Sequence, residues 1–196
     1  MPTIDSLHFD VAGWNLVNQA PNARVWRNAS NDKLTLNLSM VKPSPLTRPE
    51  SLEMMRGMYG DSAQQRGGRL IQCDLLDLDG VLSHKVLFAF PQPEPGQGFL
   101  YVGSLSLHFP SFEYVIEASC DEQGITGMRE MGVLMKLRQE GKYRVEKGEA
   151  GPPKGFADGE EYDPGFPDHP LSRCRRHLNE IQTSLKIDAD VRTAPG

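Results

Sequence analysis

The chain has 196 residues, with 21 Lys and Arg against 26 Asp and Glu, for a net charge of −5. That balance excludes the basic footprint needed to hold phosphate backbones and the polybasic patch needed to hold anionic lipid, so neither a nucleic-acid nor a membrane partner is expected. With 38% hydrophobic residues the chain can build a core, and its length predicts a single domain over 1–196.

Cys73, Cys120 and Cys174 form a sparse, odd set without disulfide or zinc-finger spacing. The N-terminal MPTIDSLHFD has no basic or apolar leader region, and no run reaches the roughly 18 apolar residues of a membrane span. A reduced, cytoplasmic location follows as the expectation.

Residues 7–41 read as a β region. ARVWRN (23–28) and KLTLNLSMV (33–41) flank a turn, and Leu34, Leu36, Leu38 and Met40 alternate with polar residues, as in an antiparallel strand wet on one side. A Pro-rich loop follows. Thr47 and Glu50 have capping-box spacing and predict a helix from about Arg48 to Gln65, with Leu52, Met55, Tyr59 and Ala63 on one face.

Four strands then fill 69–120, the first two joined at the Asp79-Gly80 hairpin signal. A second helix is expected over about 125–139. Its wide apolar arc holds Met128, Met131, Met135, Val133, Leu134 and Leu137, leaving Arg129, Gly132 and Lys136 for water; Glu130 falls awkwardly inside the arc. Two covers are needed for such a helix: the sheet and the C-terminal helix.

That C-terminal helix is predicted over 169–185, with Asp168 as N-cap, Pro170 in its first turn, and a seam of Leu171, Cys174, Leu178, Ile181 and Leu185. The segment 146–168 is too rich in Gly and Pro for regular structure, and Phe156, Tyr162 and Phe166 are placed to anchor it. Together they make residues 141–196 a C-terminal extension packed on a core of residues 7–140.

The order of elements, with GW at 13–14, LTLNLSMV at 34–41 and LDLDGV at 76–81, resembles the PsbP-like α/β sandwich, a fold shared with the Ran-binding Mog proteins, and more narrowly the DcrB-like bacterial families. The resemblance covers residues 7–140. It implies an α+β fold, a mainly antiparallel twisted sheet with helices packed on it, and a non-enzymatic role in binding partner proteins or assisting assemblies. It carries no site residues.

The residues themselves offer few chemical candidates. Cys120 ends a strand just before a turn and a helix, where a thiol becomes nucleophilic if His108 or His169 is brought to it, although Asp121 and Glu122 oppose a thiolate. The alternative is a small buried hydrophobe. His84, His108, His169 and His177 lack ligand spacing, and Asp158, Glu160, Glu161 and Asp163 lack the pattern of a calcium loop, so no metal is expected.

Arg173, Arg175, Arg176 and His177 form a basic cluster, with Arg173 and Arg176 pointing away from the seam. Met54, Met55, Met58, Met128, Met131 and Met135 are core fillers or an adaptable surface. No phosphate loop, dinucleotide fingerprint or nucleophile elbow is present, and no cofactor is expected.

The leading expectation is a non-catalytic binding or accessory protein that works through protein–protein contacts. Phe156, Tyr162, Phe166, Arg173 and Arg176 are its candidate binding residues, and the partner is unspecified. The alternatives are a cysteine-dependent hydrolase or transferase using Cys120, and a small-ligand carrier.

Overall fold

The computed structural model describes residues 2–40, 52–94, 98–124, 126–143 and 152–192. The predicted capping box at Thr47 and Glu50 lies outside them.

Among the described residues nine strands form: β1 (Leu7–His8), β2 (Trp14–Ala20), β3 (Ala23–Asn28), β4 (Lys33–Ser39), β5 (Arg69–Leu78), β6 (Val81–Pro91), β7 (Phe99–His108), β8 (Glu113–Asp121) and β9 (Lys186–Ile187). The helices are α1 (Leu52–Gln65), α2 (Met128–Gln139), α3 (Pro170–Ser184) and α4 (Ala189–Arg192). Seven strands make one antiparallel sheet in the order β2-β3-β4-β8-β7-β6-β5, and β1 pairs with β9. This is the α+β architecture that the sequence predicts.

Alternation sets the two faces. Leu34 and Leu36 of β4 and Ile116, Ala118 and Cys120 of β8 are at most 1% exposed and face α3. Met40, expected to continue the β4 row, is 66% exposed. At the hairpin, Asp79 and Gly80 both have positive φ (52° and 86°), the twist that suits two antiparallel strands.

Helix α3 covers β7 and β8 directly. It lies close because β7 carries Gly103 there: a Cβ at that position would stand 2.5 Å from Leu178 Cδ1 and 3.0 Å from Cys174 Sγ. Helix α1 covers β5 on the opposite face, where Met55, Cys73 and Val86 form a second, smaller core with Leu52 and Tyr59.

The two outermost strands are each irregular. The β2–β3 register shifts between Leu16 and Asn18, and the β5–β6 register shifts between Leu70 and Gln72.

Two expectations are corrected. The apolar seam of the C-terminal helix packs on the sheet, not on α2, so residues 170–187 belong to the main core. The methionines and Arg129 of α2 also exchange their expected places, while Val133 is buried and Lys136 exposed as predicted. Arg129 is 1% exposed, whereas Met128, Met131 and Met135 are 59%, 58% and 55% exposed. The reason lies in residues far along the chain. The loop before α3 folds over the side that looked wet: Arg129 finds partners on it, the Phe166 ring fills the space over Gly132, and Lys136 lies 5.6 Å from the Tyr162 ring centroid.

Candidate functional site

Functional groups gather where β8, α2, the 157–168 loop and the start of α3 meet. A cleft of about 570 Å³ opens there, with walls that include Ser30, Gln123, Met128, Phe166, His169 and Arg173. Three polar clusters define its surroundings.

The first is built on Arg129. Its Nε donates to the Ala157 carbonyl, Nη1 to Ser172 Oγ, and Nη2 to the Gly159 carbonyl, and Nη1 pairs with Asp163 at 2.8 Å. Arg175 takes the same carboxylate from α3 at 3.1 Å. Arg69 of β5 holds Asp158 through both carboxylate oxygens, at 2.7 and 2.9 Å. Two carboxylates of the acidic run, Asp158 and Asp163, are thus held by arginines from three elements, while Glu160 and Glu161 are exposed.

The second lies deeper. Asp32, 1% exposed, accepts from Arg173 (2.9 Å), His177 Nε2 (2.9 Å) and Asn28 Nδ2 (3.1 Å). Burial pushes this carboxyl up, but those hydrogen bonds outweigh it and hold it well below the usual range. Burial disfavours the His177 cation, yet the bond to Asp32 raises its pKa to about 9. Beside them lies Cys120, 0% exposed; its hydrogen bond with Cys174, then burial, pushes its thiol far up. Neither His108 nor His169 is the histidine at Cys120. His177 is, and the geometry gives no route for a substrate to the sulfur.

The third cluster comprises Glu122, Glu130 and His169, whose ligand atoms lie within 4.8 Å of one another. Glu122 is spoken for by backbone donors: Phe99 N at 3.1 Å and Gly127 N at 2.9 Å. His169, not Asp168, caps α3, and its Nδ1 accepts from Leu171 N at 3.2 Å. The neutral ring therefore carries its proton on Nε2, the atom 3.9 Å from Glu122 Oε1. That makes His169 a donor toward the carboxylates and a poor metal ligand. Burial, with Glu122 and Asp158 nearby, raises the Glu130 carboxyl.

On the other face of the sheet His84 and His108 touch at 3.2 Å, with Tyr59 on one side of the pair and Glu113 3.3 Å away on the other. Burial, then the neighbouring His108, lowers His84 to about 4; burial, then Arg129 and Arg173, lowers His169 to about 4.

These shifts set a stability profile. His84 and His169 stay neutral in the fold but protonate near 6.5 when unfolded, so stability is lost as pH falls from 6.5 toward 4. His177 acts in the opposite sense: its contribution is complete below 6.5 and is lost as pH rises through about 9. Thermal denaturation of the metal-free protein across pH is expected to show a maximum near pH 6.5–7. His177→Gln should flatten the alkaline limb and His84→Gln the acidic one. Unchanged limbs in both variants would refute these assignments.

Of the candidate binding residues, Phe166 and Arg173 line the cleft, while Arg176 is exposed on the outer side of α3. Tyr162 lies beneath Lys136, and Phe156 lines a separate cleft of about 380 Å³ with Arg69, Phe99 and Glu130. Arg173 does not face water as the helical wheel implied; it turns to Asp32. Asp32 escaped the sequence reading, Arg129 entered it only as a residue facing water, and Glu122 only as an obstacle to a thiolate. Only the Cys174-x-x-His177 spacing, which puts both side chains on one helix face, could have drawn attention to the second cluster.

A seven-stranded antiparallel sheet with a helix on each face defines an α/β sandwich. Among solved structures, the chain is similar to PsbP (CyanoP) from Synechocystis sp. PCC 6803, with a TM-score of 0.36 and 13% identity over 71% of this chain and 91% of that one. It is also similar to a protein from Bacteroides thetaiotaomicron VPI-5482, with a TM-score of 0.36 and 9% identity over 74% of this chain and 47% of that one. The chain spans about half the length of the Bacteroides protein. A PsbP is thus among the similar structures, as the sequence resemblance expected, and the likeness is one of fold alone. No family model and no curated protein matches the sequence. Among the described residues no helix is long and apolar enough to cross a membrane.

Proposed function

We propose that the protein is a non-catalytic binding protein that docks a partner protein on the ridge of Met128, Met131 and Met135 and the adjoining cleft. The observation that carries this reading is the exposure of all three thioethers on α2, at 59%, 58% and 55%. They stand three and four residues apart, so they form one stripe. Packing does not hold them in place, because α2 is anchored through its opposite side.

Flexible thioethers suit an adaptable contact surface. Met128 also forms a wall of the cleft, so ridge and cleft are continuous. Exposed Lys136 and Arg138 flank the ridge, which favours a partner with an apolar face and an acidic rim. Three free, buried cysteines fit a reducing compartment, the cytoplasm in this reading.

The test is affinity capture from the native organism with wild type and with the Met128→Gln, Met131→Gln, Met135→Gln variant. A protein retained by wild type should be at least about tenfold depleted with the variant, a change of about 1.4 kcal/mol or more. Exposed substitutions of this kind should shift stability by less than about 0.5 kcal/mol each. Equal retention by both proteins would remove the ridge from the reading. Thiol labelling supplies a second arm: Cys120 should stay unlabelled in the native protein, and rapid labelling at neutral pH would restore a cysteine enzyme as the better account.

A further inference from the structure

The cluster beneath the cleft has a geometry that the docking reading does not use. Asp32 leaves the turn before β4, Cys120 ends β8, and Cys174 and His177 occupy one face of α3. A carboxylate oxygen of Asp32, the Cys120 sulfur and a ring nitrogen of His177 lie within 4.8 Å of one another, and all three residues are buried. The Cys174 thiol, beside that of Cys120, donates to the Ala118 carbonyl at 3.6 Å.

The arrangement is not that of a nucleophile–base–acid relay. In a relay the acid and the nucleophile sit on opposite nitrogens of the imidazole. Here Asp32 takes Nε2, while Nδ1 is buried on the Glu180 side of the ring, 3.7 Å from that carboxylate. Donor atoms from separate elements converge instead of forming a chain. We propose that Asp32, Cys120 and His177, with Cys174 as fourth donor, bind one zinc-class divalent cation and thereby fasten α3 to the ends of β4 and β8.

The surroundings fit such an ion. With Nε2 on the metal, Nδ1 carries the proton and Glu180 stands ready to accept it, the outer carboxylate that commonly orients a ligating histidine. Arg173 and Asn28 already hold the Asp32 carboxylate in place. Two thiolates and one carboxylate exceed a divalent charge by one, and the Arg173 guanidinium supplies that balance. A single oxygen donor argues against magnesium or calcium, whereas sulfur and imidazole suit zinc.

The His177 Nε2 to Asp32 Oδ2 distance is 2.9 Å, and opening it to about 3.3 Å would match the edge of a tetrahedral zinc site. Binding exchanges protons for the cation without redox change: His177 Nε2 and both thiols each release one proton to the buffer. Arg173, which grips Asp32, also forms part of the wall of the cleft.

The test uses the full chain, reduced and freed of metal, titrated with cobalt(II) as a spectroscopic stand-in. One ion per chain should bind with thiolate-to-cobalt charge-transfer absorption, zinc should displace it, and zinc should raise the thermal midpoint. Cys73→Ser, in the other core, should behave as wild type. Cys120→Ala and Cys174→Ala should lose the charge-transfer intensity in part or whole, and His177→Gln should weaken binding at least about tenfold.

Circular dichroism checks that each variant folds. If Cys120→Ala does not, Cys174→Ala and His177→Gln carry the test. Wild type without a charge-transfer band, both after native incubation and after refolding with cobalt, would overturn the proposal. So would a band or affinity unchanged in the folded Cys120, Cys174 and His177 variants.

Discussion

Arg129→Met is expected to destabilise the protein by about 3–5 kcal/mol, the usual cost of removing one partner from a buried ion pair. The side chain is 1% exposed, and four groups depend on it: Asp163, Ser172 Oγ and the carbonyls of Ala157 and Gly159. Methionine approximates the volume of the stem but satisfies none of them. Asp163 keeps Arg175 at 3.1 Å, which places the expected loss short of a fully orphaned charge. Arg129→Lys should recover only part of the loss, because an ammonium cannot reproduce the guanidinium fork. Urea denaturation followed by circular dichroism measures the change from the midpoint. A loss below about 1 kcal/mol would mean that the network contributes little more than a surface pair.

Deleting residues 152–196 should abolish the folded monomer. Leu171, Cys174, Leu178 and Ile181 are 0–2% exposed against the sheet. Fully burying a side chain such as leucine contributes about 1.5–3 kcal/mol, so α3 accounts for a sum comparable to the whole net stability of a domain, about 5–15 kcal/mol. Its removal uncovers Leu34, Leu36, Leu105 and Ile116, and aggregation should follow. Size-exclusion chromatography and dye binding read the outcome. A truncated chain that stays monomeric and unfolds cooperatively would contradict the placement of α3 in the core.

The sheet was largely legible in the sequence because its information is local. Alternation in Leu34-x-Leu36-x-Leu38, and a turn requiring positive φ at Asp79-Gly80, each declare themselves within a few residues. The seam of α3 was legible for the same reason, though what it covers was not. Helix α2 shows where local reading ends. On hydrophobicity alone its methionines belong inside and Arg129 outside. The opposite arrangement wins because Asp163, Ser172 and two loop carbonyls, 28–43 residues away, satisfy the guanidinium. Asp32 was invisible for a kindred reason: its partners Arg173 and His177 lie more than 140 positions along the chain.

Both margins of the sheet also constrain how copies of this protein can associate. At β2 the register slips past Val17, and at β5 it slips past Ile71, where Arg56 of α1 also occupies the carbonyl of Cys73. A flat, regular ladder invites a second chain to add a strand, and from there to polymerise. Kinks on both outer strands deny that template to an incoming copy. The extended backbone is thereby withdrawn from intermolecular pairing, and recognition is left to side chains.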